Sequence, residues 1–184
     1  METERELLDA IDRGDRQAMR RLYDRFSGCA MAIGLRYIAE REDVKDVVQD
    51  GFVKIIGSIG SFHYHGEGSL RAWVGRIITN TAIDWVKAHE RMLTVVDQTA
   101  GLPDEAEEDP PDVETVPPDL LNRMIGRLPA GYRLVLNLYV FDQLPHREIA
   151  RRLGIREASS ASQLSHAKRL LKEMIQVYLD SQRK

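Results

Sequence analysis

The chain has 184 residues, 43% hydrophobic and 30% charged, with a formal net charge of −3. This is an ordinary globular composition; no apolar run approaches the ~20 residues of a membrane span, and the acidic, periodic start METERELLDAIDRGD has no signal-peptide core. The single cysteine, Cys29, excludes an internal disulfide and sits in an apolar helical run, so a buried thiol and a cytoplasmic location are expected.

Apolar periodicity starts a helix at Leu7, Leu8 and Ile11, which Gly14 ends. Asp15 is placed to cap the next, whose inner stripe is Met19, Leu22, Tyr23, Phe26, Ala30 and Ile33. A third helix starts near Glu42, where Glu42 and Asp43 suit the positive end of the helix dipole, and buries Val44, Val47, Val48, Gly51, Phe52 and Ile55. The stretch from Gly57 to Gly68 reads as a loop carrying Phe62, His63, Tyr64 and His65. Ser69 then caps a fourth helix, Leu70 to about Arg91, with Trp73, Ile77, Ala82 or Ile83, and Trp85 as core positions. No segment alternates at period two, so no strand is predicted.

Charge divides the chain. Met1 to Arg91 holds 14 Lys and Arg against 15 Asp and Glu. Met92 to Asp119 holds 9 acids and no base, and Thr99 to Pro118 contains five prolines, the composition of a flexible linker. Leu120 to Lys184 has 12 bases against 5 acids, as a phosphate-binding module requires. Helices resume at Pro118–Asp119 with Leu120, Leu121, Met124, Ile125 and Leu128; Pro129 and Gly131 break that helix, and Leu134, Val135, Leu138 and Tyr139 mark another.

Two helices at an angle follow. The first, His146 to Leu153, turns Ile149, Ala150 and Leu153 to one side; Gly154 stops it and Ile155 plugs the corner. In the second, Ser160, Leu164, Ala167 and Leu171 form the inner face, and Ser159, Ser162, Gln163, Ser165, His166 and Arg169 the outer. A glycine corner before a polar second helix is the helix-turn-helix pattern, whose second helix enters the major groove. An ordinary helical hairpin fits the same spacing. The expected fold is all-α: helical domains at 1–95 and 119–184, joined by an acidic flexible linker at 96–118.

Four stretches, in order, resemble the extracytoplasmic-function (ECF) sigma factors of bacterial RNA polymerase. Asp46-Val47-Val48-Gln49-Asp50-Gly51-Phe52-Val53-Lys54 is similar to the family's D-L-V-Q-E-x-F-L-K. Trp73-Val74-Gly75-Arg76-Ile77-Ile78-Thr79-Asn80-Thr81-Ala82-Ile83-Asp84-Trp85-Val86-Lys87 is similar to W-L-x-R-I-A-x-N-x-A-I-D-x-L-R. Leu128-Pro129, Tyr132-Arg133 and Val135-Leu136 follow L-P-x-x-Y-R-x-V-L, and Glu148 to Ile155 follows E-I-A-x-x-L-G-I. The chain departs at the recognition helix. Ser159-Ser160-Ala161-Ser162-Gln163 replaces a Thr-Val-Lys-Ser-Arg-type run, His166 stands where Arg is common, and Arg156 replaces a capping Ser, which weakens that helix start by ~1 kcal/mol.

The resemblance implies that the first domain binds core RNA polymerase through Asp43, Asp46, Gln49 and Asp50. It also implies that this domain opens the minus-ten promoter element. A base leaving the stack needs a flat wall and a polar edge; Phe62 and Tyr64 are candidates for the wall, Asn80 for the edge, and Arg76, Lys87 and Arg91 for nearby positive charge. Phe62 packing back into the core is the other reading, with Tyr64 the more exposed of the two. The second domain is expected to read the minus-35 element with Ser159, Ser162, Gln163 and His166, helped by Arg133, Arg151, Arg152, Lys168 and Arg169. The linker acids Asp104, Glu105, Glu107, Glu108 and Asp109 are expected either to enter a basic polymerase channel or only to keep a tether extended.

Promoter DNA, core polymerase and an anti-sigma factor are the expected partners, without membrane insertion. Neither cofactor nor metal is expected. His63 and His65 lack the further ligands zinc needs, and there is no phosphate-cradling glycine loop or nucleophile with an evident base, so no enzyme is expected. The alternative is a stand-alone helix-turn-helix regulator with a sensing or dimerising N-terminal domain.

Overall fold

A computed structural model describes residues 2–89 and 116–182, and every regular element among them is helical. The chain forms two compact units, Met1–His89 and Glu90–Lys184.

In the first unit, α1 (Glu4–Asp12) opens on a capping box: Glu6 N donates to Thr3 Oγ1 at 3.2 Å, and Thr3 N donates to Glu6 Oε2 at 2.8 Å. After Gly14, Asp15 organises the turn into α2 (Ala18–Tyr37), accepting Gln17 N on Oδ1 at 2.9 Å and Ala18 N on its carbonyl at 3.0 Å. Asp15 thus acts one turn before the helix, with Gln17 as the boundary residue. The helix α3 (Arg41–Ser58) buries Val44, Val47, Val48, Gly51, Phe52 and Ile55, the whole predicted stripe. It runs into the expected loop and ends in a 3-10 turn at Ile59–Ser61.

The helix α4 (Ser69–His89) packs on both α2 and α3. Its fully buried positions Leu70, Val74, Ile78, Ala82 and Val86 recur every fourth residue. Trp73, Ile77 and Trp85, expected in the core, are only half-buried. The helix is apolar over much of its circumference, so periodicity does not define a single register; contact with two neighbours selects the stripe that fits between them. A side chain at Gly51 would run into Ile78 Cδ1, so glycine there lets α3 and α4 approach. Cys29 is half-buried, because α2 centres its inner face on Leu22, Phe26, Ala30 and Gly34. Tyr23 is 43% exposed, its ring lying 4.7 Å from that of Phe52.

In the second unit, α5 (Pro118–Gly126) starts with proline in its first turn, where the missing N–H costs nothing. The helix α6 (Ala130–Val140) begins immediately after Pro129, so Pro129 is a boundary and Gly131 lies inside the helix. Then come α7 (His146–Leu153) and α8 (Glu157–Gln182). Gly154 holds φ 71° and ψ 34°, the left-handed conformation expected at that corner. Leu134, Leu138, Ile149, Leu153, Leu164 and Ala167 form the core beneath the helix pair. At 26 residues α8 is about 39 Å long. Its second half packs on α5 around Val116, Met124 and Ile175.

Candidate nucleic-acid and polymerase interfaces

On α3, Asp46, Gln49 and Asp50 are exposed and Asp43 half-buried. Successive steps of three and four residues continue that stripe to Val53, 70% exposed, and Ile56, 45% exposed. An acid-and-amide row therefore merges into bare apolar surface, a pairing suited to a protein partner. Sequence reading missed Val53 and Ile56; the signal was two branched apolar residues outside an already complete inner stripe.

Three of the minus-ten candidates, Arg76, Asn80 and Lys87, lie on one side of α4. Trp73, Arg76, Asn80 and Lys87 follow helical steps of three, four and seven residues, and the last three are exposed. Phe62 and Trp73, both half-buried, pack with ring centroids 5.1 Å apart. Phe62 is thus held against the boundary tryptophan of that face. Tyr64 falls in the same exposure range as Phe62. It too is half-buried, with its hydroxyl 3.4 Å from Glu67 Oε2 and the Arg5 guanidinium carbon 5.6 Å from its ring centroid. Burial raises the Tyr64 pKa, and the Glu67 carboxylate adds to that rise. Arg91 and the linker acids Asp104, Glu105, Glu107, Glu108 and Asp109 lie outside the described residues.

The N-terminus of α4 is capped from a distance. The Glu4 side chain, on a residue 2% exposed, accepts Gly68 N and Leu70 N on Oε2, both at 2.9 Å, and Arg71 N on Oε1 at 3.1 Å. Ser69, the predicted cap, donates instead to Gly66 O at 2.6 Å and accepts His65 N at 3.2 Å, bracing the loop. A carboxylate outcompetes a hydroxyl at the positive end of a helix dipole.

The helix-turn-helix sorts its predicted residues three ways. Arg169, Lys168 and Ser165 are exposed; Ser159, Ser162 and His166 are half-buried. Helical geometry puts Lys168 on the opposite side of α8 from Ser159, so the two cannot share one groove contact. His166 stacks on Tyr132 with centroids 5.6 Å apart, and Arg169 Nη2 lies 3.2 Å from His166 Nδ1.

Gln163 and Arg133 correct the sequence reading. Gln163 is 2% exposed and turned toward α6, where a Cβ on Gly131 would sit 3.0 Å from its Oε1. Arg133 is 3% exposed and donates through Nη1 to Gly126 O at 2.9 Å and Leu128 O at 3.0 Å. It satisfies carbonyls at the C-terminal end of α5, a structural task that withdraws its charge from any phosphate.

Arg151 and Arg152 are exposed and half-buried, but both engage Glu148. Arg151 donates through Nε at 3.0 Å and Nη2 at 2.7 Å, and Arg152 through Nε at 3.0 Å. The hydrogen bonds from Arg151 and then Arg152 hold the Glu148 pKa at about 2, below the usual 4.5. The group's contribution to stability is therefore present above pH 4.5 and lost as pH falls from there toward 2. Melting wild type and Glu148→Gln at pH 7 and at low pH checks this: the wild-type advantage shrinks in acid. A pH-independent difference would contradict it.

His63 and His65 are both exposed, and among the described residues no three His, Cys, Asp or Glu side chains cluster as metal ligands would. None of the described helices is long and apolar enough to cross a membrane.

Both units match family models. Residues 22–92 match sigma-70 region 2, and residues 119–171 match sigma-70 region 4. The ECF RNA polymerase sigma-E factor of Haemophilus influenzae is 27% identical over 187 residues, covering 95% of this chain and 96% of the relative. The RNA polymerase sigma factor YlaC of Bacillus subtilis is 31% identical over 127 residues, covering 65% of this chain and 72% of the relative. The solved sigma factor RpoE from Bartonella quintana, in complex with the anti-sigma factor NepR, is 18% identical with a TM-score of 0.52, covering 88% of this chain and 98% of that one, a likeness of fold. With region 2 on one helical unit and region 4 on the other, in family order, the chain belongs to the extracytoplasmic-function group of sigma-70 factors.

Proposed function

We propose that this sigma factor binds core RNA polymerase in the cytoplasm and directs it to a limited set of promoters, acting by binding and not by turnover. The observation that carries this is the ordered pair of region matches, one on each helical unit. In this reading residues 1–95 hold the polymerase through the α3 stripe of Asp43, Asp46, Gln49 and Asp50, extended by Val53 and Ile56. The same domain opens the minus-ten element with Phe62, Tyr64, Arg76, Asn80, Lys87 and Arg91. Residues 119–184 contact the minus-35 element through Ser159, Ser162, His166 and Arg169. Arg151, Arg152 and Lys168 supply flanking charge. The acidic segment 96–118 joins the two and carries its acids into a basic channel of the polymerase.

An anti-sigma partner belongs to the same proposal. The RpoE structure is a complex with one, and the exposed apolar residues on α3 need cover when the polymerase is absent.

Run-off transcription with purified core enzyme tests the reading. The chain is expected to bind promoter duplex weakly alone and to yield specific transcripts only with core enzyme. Tight duplex binding without polymerase, and transcripts that start equally well in its absence, would support the stand-alone regulator instead.

A further inference from the structure

We propose that the N-terminal segment Glu2–Arg5 is a working part of the minus-ten loop, with Glu4 as the residue that positions it. The proposal rests on the loop at 62–68 reading the minus-ten element, as set out above.

A carboxylate as buried as that of Glu4 is costly unless its oxygens are filled by donors. Gly68 N, Leu70 N and Arg71 N fill them. These amides have no intrahelical partner of their own, so Glu4 supplies what the start of α4 lacks. The favour is returned. Glu67, in the loop, accepts Glu4 N on both carboxylate oxygens, at 3.2 and 3.1 Å, and so caps α1. Each helix start is closed by a carboxylate from the other element.

Three further contacts tighten the joint. Arg25 Nη2 donates to Glu67 Oε1 at 3.1 Å, and Arg25 Nη1 donates to Glu2 O at 2.8 Å. The Arg5 guanidinium lies over the Tyr64 ring. The path of the loop also depends on Gly66 and Gly68, which hold φ values of 113° and 91°, and their missing Cβ leaves the backbone free to take other routes if the anchor is lost.

A joint of this kind matters to reading, beyond folding. Most of the core of this unit comes from α2, α3 and α4, α1 adding Leu7 and Ala10, and the α3 stripe proposed for the polymerase includes none of the joint's residues. What the joint sets is where the loop and its Tyr64 stand relative to Arg76 and Asn80 on α4. Misplacing such groups by about 1 Å costs ~100-fold in a positioned reaction. Glu4 is therefore a positioning residue for promoter opening, acting through the loop.

The test uses the full chain with core enzyme and two templates, an intact duplex promoter and the same promoter opened by mismatches across the minus-ten element. Glu4→Ala is expected to lower output from the duplex by ~10- to 100-fold, to leave core binding in competition unchanged, and to recover most of its output on the opened template. Glu4→Gln keeps an acceptor oxygen and is expected to fall between wild type and Glu4→Ala on the duplex. Equal losses of duplex output, opened-template output and core binding would show a merely structural role and overturn the proposal. Tyr64→Ala and Phe62→Ala separate the two levels. If they lose duplex output and Glu4→Ala does not, the positioning role alone is wrong. If they too leave duplex output intact, the loop does not read the minus-ten element, and the proposal falls with that reading.

Discussion

Arg133→Met lowers the melting temperature of the C-terminal unit by roughly 10 °C or more, and leaves the salt dependence of promoter binding as it was. The effect originates at the end of α5. Its last carbonyls have no intrahelical donor, and Pro129 shortly after them has no N–H to offer. The Arg133 guanidinium reaches back from α6 and donates to Gly126 O and Leu128 O. Methionine fills similar space without a donor, so carbonyls that Arg133 satisfied are left short of a partner. Unsatisfied buried acceptors cost about 1–3 kcal/mol each, and 1 kcal/mol is worth roughly 4–8 °C in a unit of this size. Thermal melting measures the first part of the prediction, and binding across a salt series the second. An unchanged melting temperature, with a salt slope reduced by about one ion, would restore Arg133 to the phosphate-contacting set.

The second large effect is expected on α3. The double variant Asp46→Lys/Asp50→Lys loses roughly 100-fold in affinity for core polymerase, in keeping with the 2–5 kcal/mol that charged contacts carry when an interface buries them. Its own stability should not fall. Both residues are exposed, and they stand four apart on a helix, where like charges repel slightly and replacing them with another like pair is neutral. Competition against wild type for limiting core enzyme, alongside a melting curve, separates the two quantities. Equal competition would remove this face from the polymerase contact. Val53→Asp is expected to act in the same direction, because it puts a charge into the apolar part of the same stripe.

Much of the molecule was legible in the residues because several signals were local. The inner stripe of α3 is unambiguous, since its outer face is polar apart from Val53 and Ile56. The helix-turn-helix announces itself through Gly154, a residue that takes the left-handed conformation at no steric cost, between two short amphipathic patterns. The charge division depends on counting alone. Four motifs in family order then pointed to the family that the region matches establish.

What escaped the sequence reading were the contacts made between one element and another. Arg133 and Gln163 are polar side chains of types that usually face solvent, yet Arg133 turns back to the end of α5 and Gln163 turns in against α6. On α4, which offers more apolar positions than one stripe needs, the neighbours α2 and α3 decide that Leu70, Val74 and Ile78 go inside and Trp73 and Ile77 stay at the boundary. The joint between Glu4 and Glu67 spans 63 residues, and no local rule pairs an acid in the first helix with amides at the start of the fourth. Helical period, turn chemistry and net charge are properties of neighbours in sequence, so the chain by itself determined the elements, their two groupings and the family. Which polar groups must be buried depends on which backbone donors and acceptors each helix end leaves unfilled once the helices are packed, and that only the tertiary structure decided.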